Sequence, residues 1–334
     1  MPEMVKQIPV LGKMNQGNNP LVSIIIPTYN RANLLPICIR SCLDQTYKNI
    51  EIIVVDDGSI DNTAEVVTKF NEKDSRIILV KKENGGLSSA LNYGFKFAKG
   101  SYLTWTSDDN YYSKDAINSM LMFLQQHNCS LVYCDYFRFK KDSPSIIRRI
   151  SCPDIDTLKQ DNCIGPCFLY TRKIMEVIGA YDPETKLAED YDFWIRVAKK
   201  FSICHLKETL YYYMEHSTSL SLQFYKTYEI ELVSTLVKFK NNIIDTQKTV
   251  DFFIVFHLKK FFTEKSKLRP PKGLFFRLIS IKKVSYLNKS WIPNRILKAL
   301  IKYMYYKKVL VILRAYKTKE LNFSETKLAI KNIF

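Results

Sequence analysis

Short β-branched runs alternate with helix-spaced apolar positions along the first 200 or so residues of this 334-residue chain. Val22–Pro27 is almost continuously apolar and predicts a buried strand, followed by helical spacing over Leu34–Leu43. Ile50–Val55 predicts a second strand that runs into Asp56-Asp57-Gly58-Ser59. Asp61 stands where it can cap a helix carrying Ala64, Val66, Val67 and Phe70. Further strands are expected at Arg76–Val80, Tyr102–Thr106 and Leu131–Phe139, with helices at Ser88–Ala98 and Lys114–Gln126.

This alternation, with strands apolar on both faces, predicts an α/β fold built on a mostly parallel sheet with helices on both sides. Ligands of such sheets sit at the carboxyl ends of the strands. Three polar clusters fall at those ends: Pro27-Thr28-Tyr29-Asn30, Asp56-Asp57-Gly58-Ser59 and Ser107-Asp108-Asp109-Asn110. The rule places all three in one crevice. Beyond residue 230 the pattern changes to helical stretches rich in Lys, Phe, Tyr, Ile and Leu, interrupted by Pro270-Pro271 and Pro293. The chain therefore reads as a loose tail over 1–19, an α/β domain over 20–230 and a basic, mainly helical region over 231–334.

Charge sharpens that division. The first 230 residues are electrically balanced, so the net charge of +17 falls on residues 231–334. Apolar runs such as Leu274–Ile281 and Ile296–Leu313 are interleaved with lysine and arginine, as in basic amphipathic helices. They suit an anionic membrane surface, or equally a subdomain or homo-oligomer that buries its apolar face. No nucleic-acid motif accompanies the charge, and no nucleic-acid partner is expected. No stretch reaches the length needed to span a bilayer. The eight cysteines include no Cys-x-x-Cys pair, which argues against a zinc site. Without a signal-like leader, reduced thiols and a cytoplasmic location are expected, with room for a peripheral position on the inner face of the membrane.

Several clusters can carry chemistry, and each also has a plain structural reading. Asp108-Asp109 suits a hard divalent cation on a diphosphate, or a solvated turn that caps a helix. Asp57 can accept a hydrogen from a base N–H, or simply close a turn with Gly58. Glu189-Asp190 opens a short helix with core positions Phe193, Trp194 and Val197. There an acid can act as general base or merely complement the helix dipole. His216, followed by Ser217, Thr218, Ser219 and Ser221, can ligate a metal or serve structurally. Asn84-Gly85-Gly86 precedes a helix and lets backbone amides approach a ligand. Dinucleotide fingerprints, phosphate loops and serine-nucleophile elbows are absent.

Taken in order, the runs Val22–Asn30, Ser41–Tyr47, Ile53–Ser59, Asn84–Gly86, Gly100–Leu103, Ser107–Asn110, Gly179–Pro183, Glu189-Asp190 and His216–Ser221 resemble the inverting family 2 glycosyltransferases with the GT-A fold. The resemblance covers about residues 21–222. It implies that Pro27 and Tyr29 flank the nucleotide base, that Asp57 binds uracil, and that Asn84, Gly85, Ser107 and Asp108 complete the donor site. It further implies Asp109 as direct metal ligand with help from His216, Asp190 as catalytic base with Glu189 beside it, and Gly165, Cys167 and Trp194 on the acceptor side. The cofactor would be Mn²⁺ or Mg²⁺. The donor would be a nucleotide sugar, with UDP as the nucleotide, and the acceptor a glycan or lipid-linked glycan of a bacterial surface polysaccharide.

Departures from the family pattern matter. Ser107 stands where many members carry an acid. The helix after Asn84-Gly85-Gly86 lacks the arginine often found there. No Gln-x-x-Arg-Trp run occurs, which implies addition of one or a few sugars. The competing readings are a nucleotide-sugar or polyanion binding protein without transfer activity, and a nucleotidyltransferase. The second lacks its glycine-rich loop after the first strand.

Overall fold

The computed structural model describes residues 19–219 except 142, residues 229–244, and residues 313, 315, 318 and 320–333. The chain divides into two compact units, residues 1–226 and 227–334. The expected loose tail, the amphipathic runs at Leu274–Ile281 and Ile296–Leu313, and the short apolar stretch Phe252–Leu258 lie outside the described residues or almost wholly so.

The first unit is built on a nine-stranded sheet. Strands β1 (Val22–Thr28), β2 (Ile50–Asp56), β3 (Ile77–Lys81) and β4 (Tyr102–Trp105) lie side by side in the order β3-β2-β1-β4, all parallel. Every residue of β1 and β2 is buried, which explains their unbroken apolar runs. Of the four polar side chains among them, Ser23 and Glu51 satisfy each other: the Ser23 hydroxyl donates to Glu51, and the Lys99 and Gly100 amides donate to the same carboxylate. Helices α1 (Leu35–Leu43), α2 (Thr63–Asn71) and α3 (Leu87–Phe95) connect these strands. On α1 the buried residues Leu35, Cys38, Ile39 and Cys42 recur at helical spacing. The Asp61 carboxylate accepts from the Thr63 amide at the start of α2, in the expected place.

Beyond β4 the sheet becomes mixed. A two-residue strand, β5 (Tyr111–Tyr112), precedes α4 (Ala116–His127), and β6 (Leu131–Lys140) then forms a hairpin with β7 (Ser143–Ile150). Strand β8 (Phe168–Thr171) runs antiparallel to both β4 and β6. After α5 (Arg172–Ile178) and α6 (Glu189–Ala198), the 13-residue strand β9 (Ile203–Glu215) pairs parallel to β6 and antiparallel to β5. The mostly parallel sheet expected from sequence is parallel throughout β1–β4, and β8 enters it antiparallel.

The pairing of β6 with β9 also joins Cys129 to Cys204 in a disulfide, which corrects the expectation that all cysteines are reduced. The two are 75 residues apart, and only the register that sets Val132 opposite Cys204 brings them together. The other six cysteines are buried free thiols.

In the second unit, helices Glu229–Lys240 and Phe323–Ile333 are described, with Val233, Leu236, Val237, Leu313 and Phe323 buried. No described helix is long and apolar enough to cross a membrane.

Candidate active site

The carboxyl ends of β1, β2 and β4 carry the three polar clusters, and hydrogen bonds tie them to one another. The Asp57 amide donates to the Thr28 carbonyl, and the Thr28 hydroxyl donates to Asp108 at 2.7 Å. Asn30 takes a left-handed backbone (φ 52°) that turns the chain out of β1, and its amide donates to the Ser59 hydroxyl. Pro27 lies within β1 opposite Val55, and Tyr29 stands about half exposed at the strand end.

Asp57 is buried and accepts from Lys82 Nζ at 2.6 Å and from the Gly85 and Gly86 amides at 3.1 Å and 2.8 Å. The Gly85 amide also reaches the second oxygen at 3.2 Å, so each carboxylate oxygen accepts twice. Asn84 donates to the Asp57 carbonyl at 3.0 Å, which fixes the loop that presents those amides. Gly58 is required here: its φ is +81°, and a Cβ would lie 2.9 Å from the Asn84 nitrogen.

At the end of β4, Asp108 and Asp109 have different surroundings. Asp108 is buried, and its carboxyl is pushed up to about 7, first by loss of solvent and then by the charge of Asp109. Asp109 Oδ2 lies 2.9 Å from His216 Nε2 and 3.7 Å from Arg31 Nη1. The pairing of β5 with β9 brings His216 there from 107 residues away: Tyr111 faces and stacks on Tyr212, and Asn110 accepts from the Met214 amide. Ser107 borders the pair through its backbone, its carbonyl accepting from the Cys38 thiol and the Asn110 amide.

Asp109 and His216 fit a divalent cation. Cis ligands about 2.1 Å from an octahedral metal stand about 3 Å apart, close to the separation seen here. His216 Nδ1 is 2.8 Å from the Thr218 hydroxyl, a partner that can fix the ring with Nε2 free to ligate. Among the described residues no group of three or more His, Cys, Asp or Glu side chains forms a closed cage, so such an ion would take its other ligands from diphosphate and water.

Glu189 and Asp190 open α6, where their charges complement the helix dipole. Glu189 is buried, accepts from the Leu187 amide at 2.8 Å, and is pushed up to about 7 by burial and by the Asp190 charge. Asp190 is also raised, chiefly by burial, while the Tyr191 amide and the Asn162 side-chain amide (3.0 Å) favour its ionised form. Trp105 at the end of β4 donates to the Tyr181 hydroxyl at 2.9 Å, and the Asp190 charge adds to the upward shift that burial imposes on that phenol.

Burial sets an expected pH effect. The folded pKa of Glu189 stands above its unfolded value, so its proton stabilises the fold at low pH. That contribution is lost as pH rises from about 4.5 towards 7. Glu189→Gln should therefore raise the melting temperature relative to wild type at pH 8 but not at pH 4. Equal shifts at both pH values would contradict the raised pKa.

Cys167 and Trp194 are fully buried: the Cys167 thiol lies against Met120 Sδ, and Trp194 packs edge-on against Phe168 and Tyr170. Cys167 thus belongs to the core beside α4, and Trp194 to the core between β8 and α6. Gly165 is partly exposed but closely packed, since a Cβ there would meet Cys152 Sγ at 2.8 Å. The structure also adds residues not singled out from sequence. These are Arg31 beside the Asp109–His216 pair, Lys82 on Asp57, and Asn162 on Asp190. Arg31 directly follows the Pro27–Asn30 run, which is the one local signal it carries.

Residues 23–179 match the model of Glycosyl transferase family 2. These residues form a family 2 glycosyltransferase domain. An uncharacterised glycosyltransferase of Rickettsia typhi is 38% identical over 203 residues, an alignment covering 58% of this chain and 63% of that protein. The chain thus spans less than two thirds of that relative's length. Among solved structures, S. aureus TarS in complex with UDP-GlcNAc superposes with a TM-score of 0.54 at 16% identity, covering 93% of this chain and 91% of that one. A mannosyltransferase of Pyrobaculum calidifontis, in complex with GDP-Man and Mn²⁺, gives a TM-score of 0.55 at 16% identity, covering 92% and 89%. These superpositions show the GT-A fold.

Proposed function

We propose that this chain is a metal-dependent inverting glycosyltransferase that moves a sugar from a UDP donor to a hydroxyl of a glycan or lipid-linked glycan of the bacterial surface. The observation that carries the reading is the convergence of Asp109 and His216 at 2.9 Å beside Asp108 and the Asp57 pocket, at the carboxyl ends of parallel strands in a family 2 domain. The nucleotide sugars in both structural neighbours support the donor class, and the Mn²⁺ of one supports the metal.

Each group then has a task. Asp57 accepts an imide N–H of the base in exchange for one of its present donors, while half-exposed Tyr29 offers a ring for stacking. Asp108, anchored by Thr28, borders the ribose and sugar. Asp109 and His216 hold the divalent ion, which when bound stabilises negative charge on the departing diphosphate. Asp190, oriented by Asn162, removes the proton from the acceptor hydroxyl as that oxygen attacks the anomeric carbon from the face opposite the diphosphate. Buried Glu189 holds its own proton near neutrality and so leaves the negative charge to Asp190.

A screen of UDP-, GDP- and dTDP-sugars with Mn²⁺ tests this reading. Free nucleoside diphosphate released from a UDP-sugar is the expected result. Pyrophosphate release would mark a nucleotidyltransferase, and binding without turnover a binding protein.

A further inference from the structure

Arg31, His216 and Asp109 form a trio that cannot be fully satisfied by itself. Arg31 Nη1 lies 3.3 Å from His216 Nε2 and 3.7 Å from Asp109 Oδ2, and Nε2 is 2.9 Å from the same carboxylate oxygen. With a hydrogen on Nε2 the ring can donate to Asp109, but it then points an N–H at the N–H groups of Arg31. With the hydrogen on Nδ1 the ring donates to Thr218 and Nε2 accepts from Arg31, but its lone pair then faces the Asp109 carboxylate. One contact of the three is unfavourable in either arrangement. A divalent cation in place of the guanidinium relieves this, because Nε2 and Oδ2 both become ligands.

The surroundings give Arg31 somewhere to go. Its backbone is held by the Thr63 hydroxyl, and its Nη2 donates to the Thr218 carbonyl at 2.9 Å. It borders a polar cavity of about 430 Å³ lined also by Asn33, Lys141, Ser217 and His216. Among the described residues none of those lining that cavity is a carboxylate.

We propose that Arg31 is a displaceable counter-ion for Asp109 and His216. It balances the pair before metal binds. It turns into the Lys141 cavity when the cation arrives, and there it holds an oxygen of the donor diphosphate. This rests on the donor reading above. It makes metal entry and diphosphate binding mutually dependent, through a residue that touches both.

The test is Mn²⁺ binding measured by electron paramagnetic resonance, without and with UDP, on wild type, Arg31→Ala and Arg31→Gln. Gln keeps a donor for the Thr218 carbonyl, so it guards against a merely disordered loop. Removing the competing cation should tighten Mn²⁺ binding about tenfold in the absence of UDP. With UDP present both variants should hold Mn²⁺ about tenfold more weakly than wild type, because the diphosphate has lost its arginine. This reversal of sign is the expected result. Weakening under both conditions, or no change in either, would overturn the proposal and leave the donor reading standing. Failure of the wild type to bind Mn²⁺ with UDP would sink the donor reading and this inference together.

Discussion

Asp190→Asn should lower the rate of sugar transfer by about 10²–10⁴-fold, the range that a positioned general base supplies, while UDP-sugar binding stays within about twofold of wild type. The substitution keeps the size of the side chain and its contact with Asn162, and it removes only the capacity to take a proton. The pH profile carries a second signature. Burial raises the Asp190 carboxyl above the ordinary range, so the base is lost to protonation as pH falls, at a higher pH than for an exposed aspartate. Transfer by wild type should therefore rise with pH along that limb, and the small residual activity of Asp190→Asn should not. Steady-state kinetics across pH, with nucleoside diphosphate release as the readout, checks both. A variant that transfers at the wild-type rate would remove Asp190 from the mechanism.

The second large effect is at Asp109. Asp109→Ala should weaken Mn²⁺-dependent binding of a UDP-sugar by about 10²–10³-fold, since a ligand worth several kcal/mol is lost where diphosphate charge gathers. Asp108→Ala should behave differently, because Asp108 is buried against Thr28 and already tends to hold a proton near neutrality. Calorimetric titration of UDP with and without Mn²⁺ separates the two: only Asp109→Ala should abolish the metal-dependent gain. If that gain survives in Asp109→Ala, the cation is held elsewhere.

The elements that were legible in the sequence are those whose burial is uniform. Strands β1 and β2 are buried from end to end and mostly apolar, and the clusters at their carboxyl ends follow from that geometry alone. The helix opening at Glu189 was legible because Phe193, Trp194 and Val197 repeat at core spacing. The same spacing buries Trp194 fully, as expected of a large aromatic side chain at a core position. Strand β5 is two residues long, and nothing in so short a segment announces that it will pair with β9. Yet that pairing is what carries His216 to Asp109. The Cys129–Cys204 disulfide and the place of Arg31 beside His216 are hidden for the same reason. Each depends on a register between segments far apart in the chain, and local periodicity carries no information about register.

The roles given to Asp109, His216 and Asp190 converge on one event, a single displacement at the anomeric carbon. The most direct measurement follows the turnover of an α-linked UDP-sugar by the wild-type chain with Mn²⁺, using proton NMR to read the anomeric configuration of the sugar as it is first released to acceptor or water. A β-configured product appearing together with free UDP is the result this account predicts. An α-configured first product would contradict the assignment of Asp190 as the base of a single displacement.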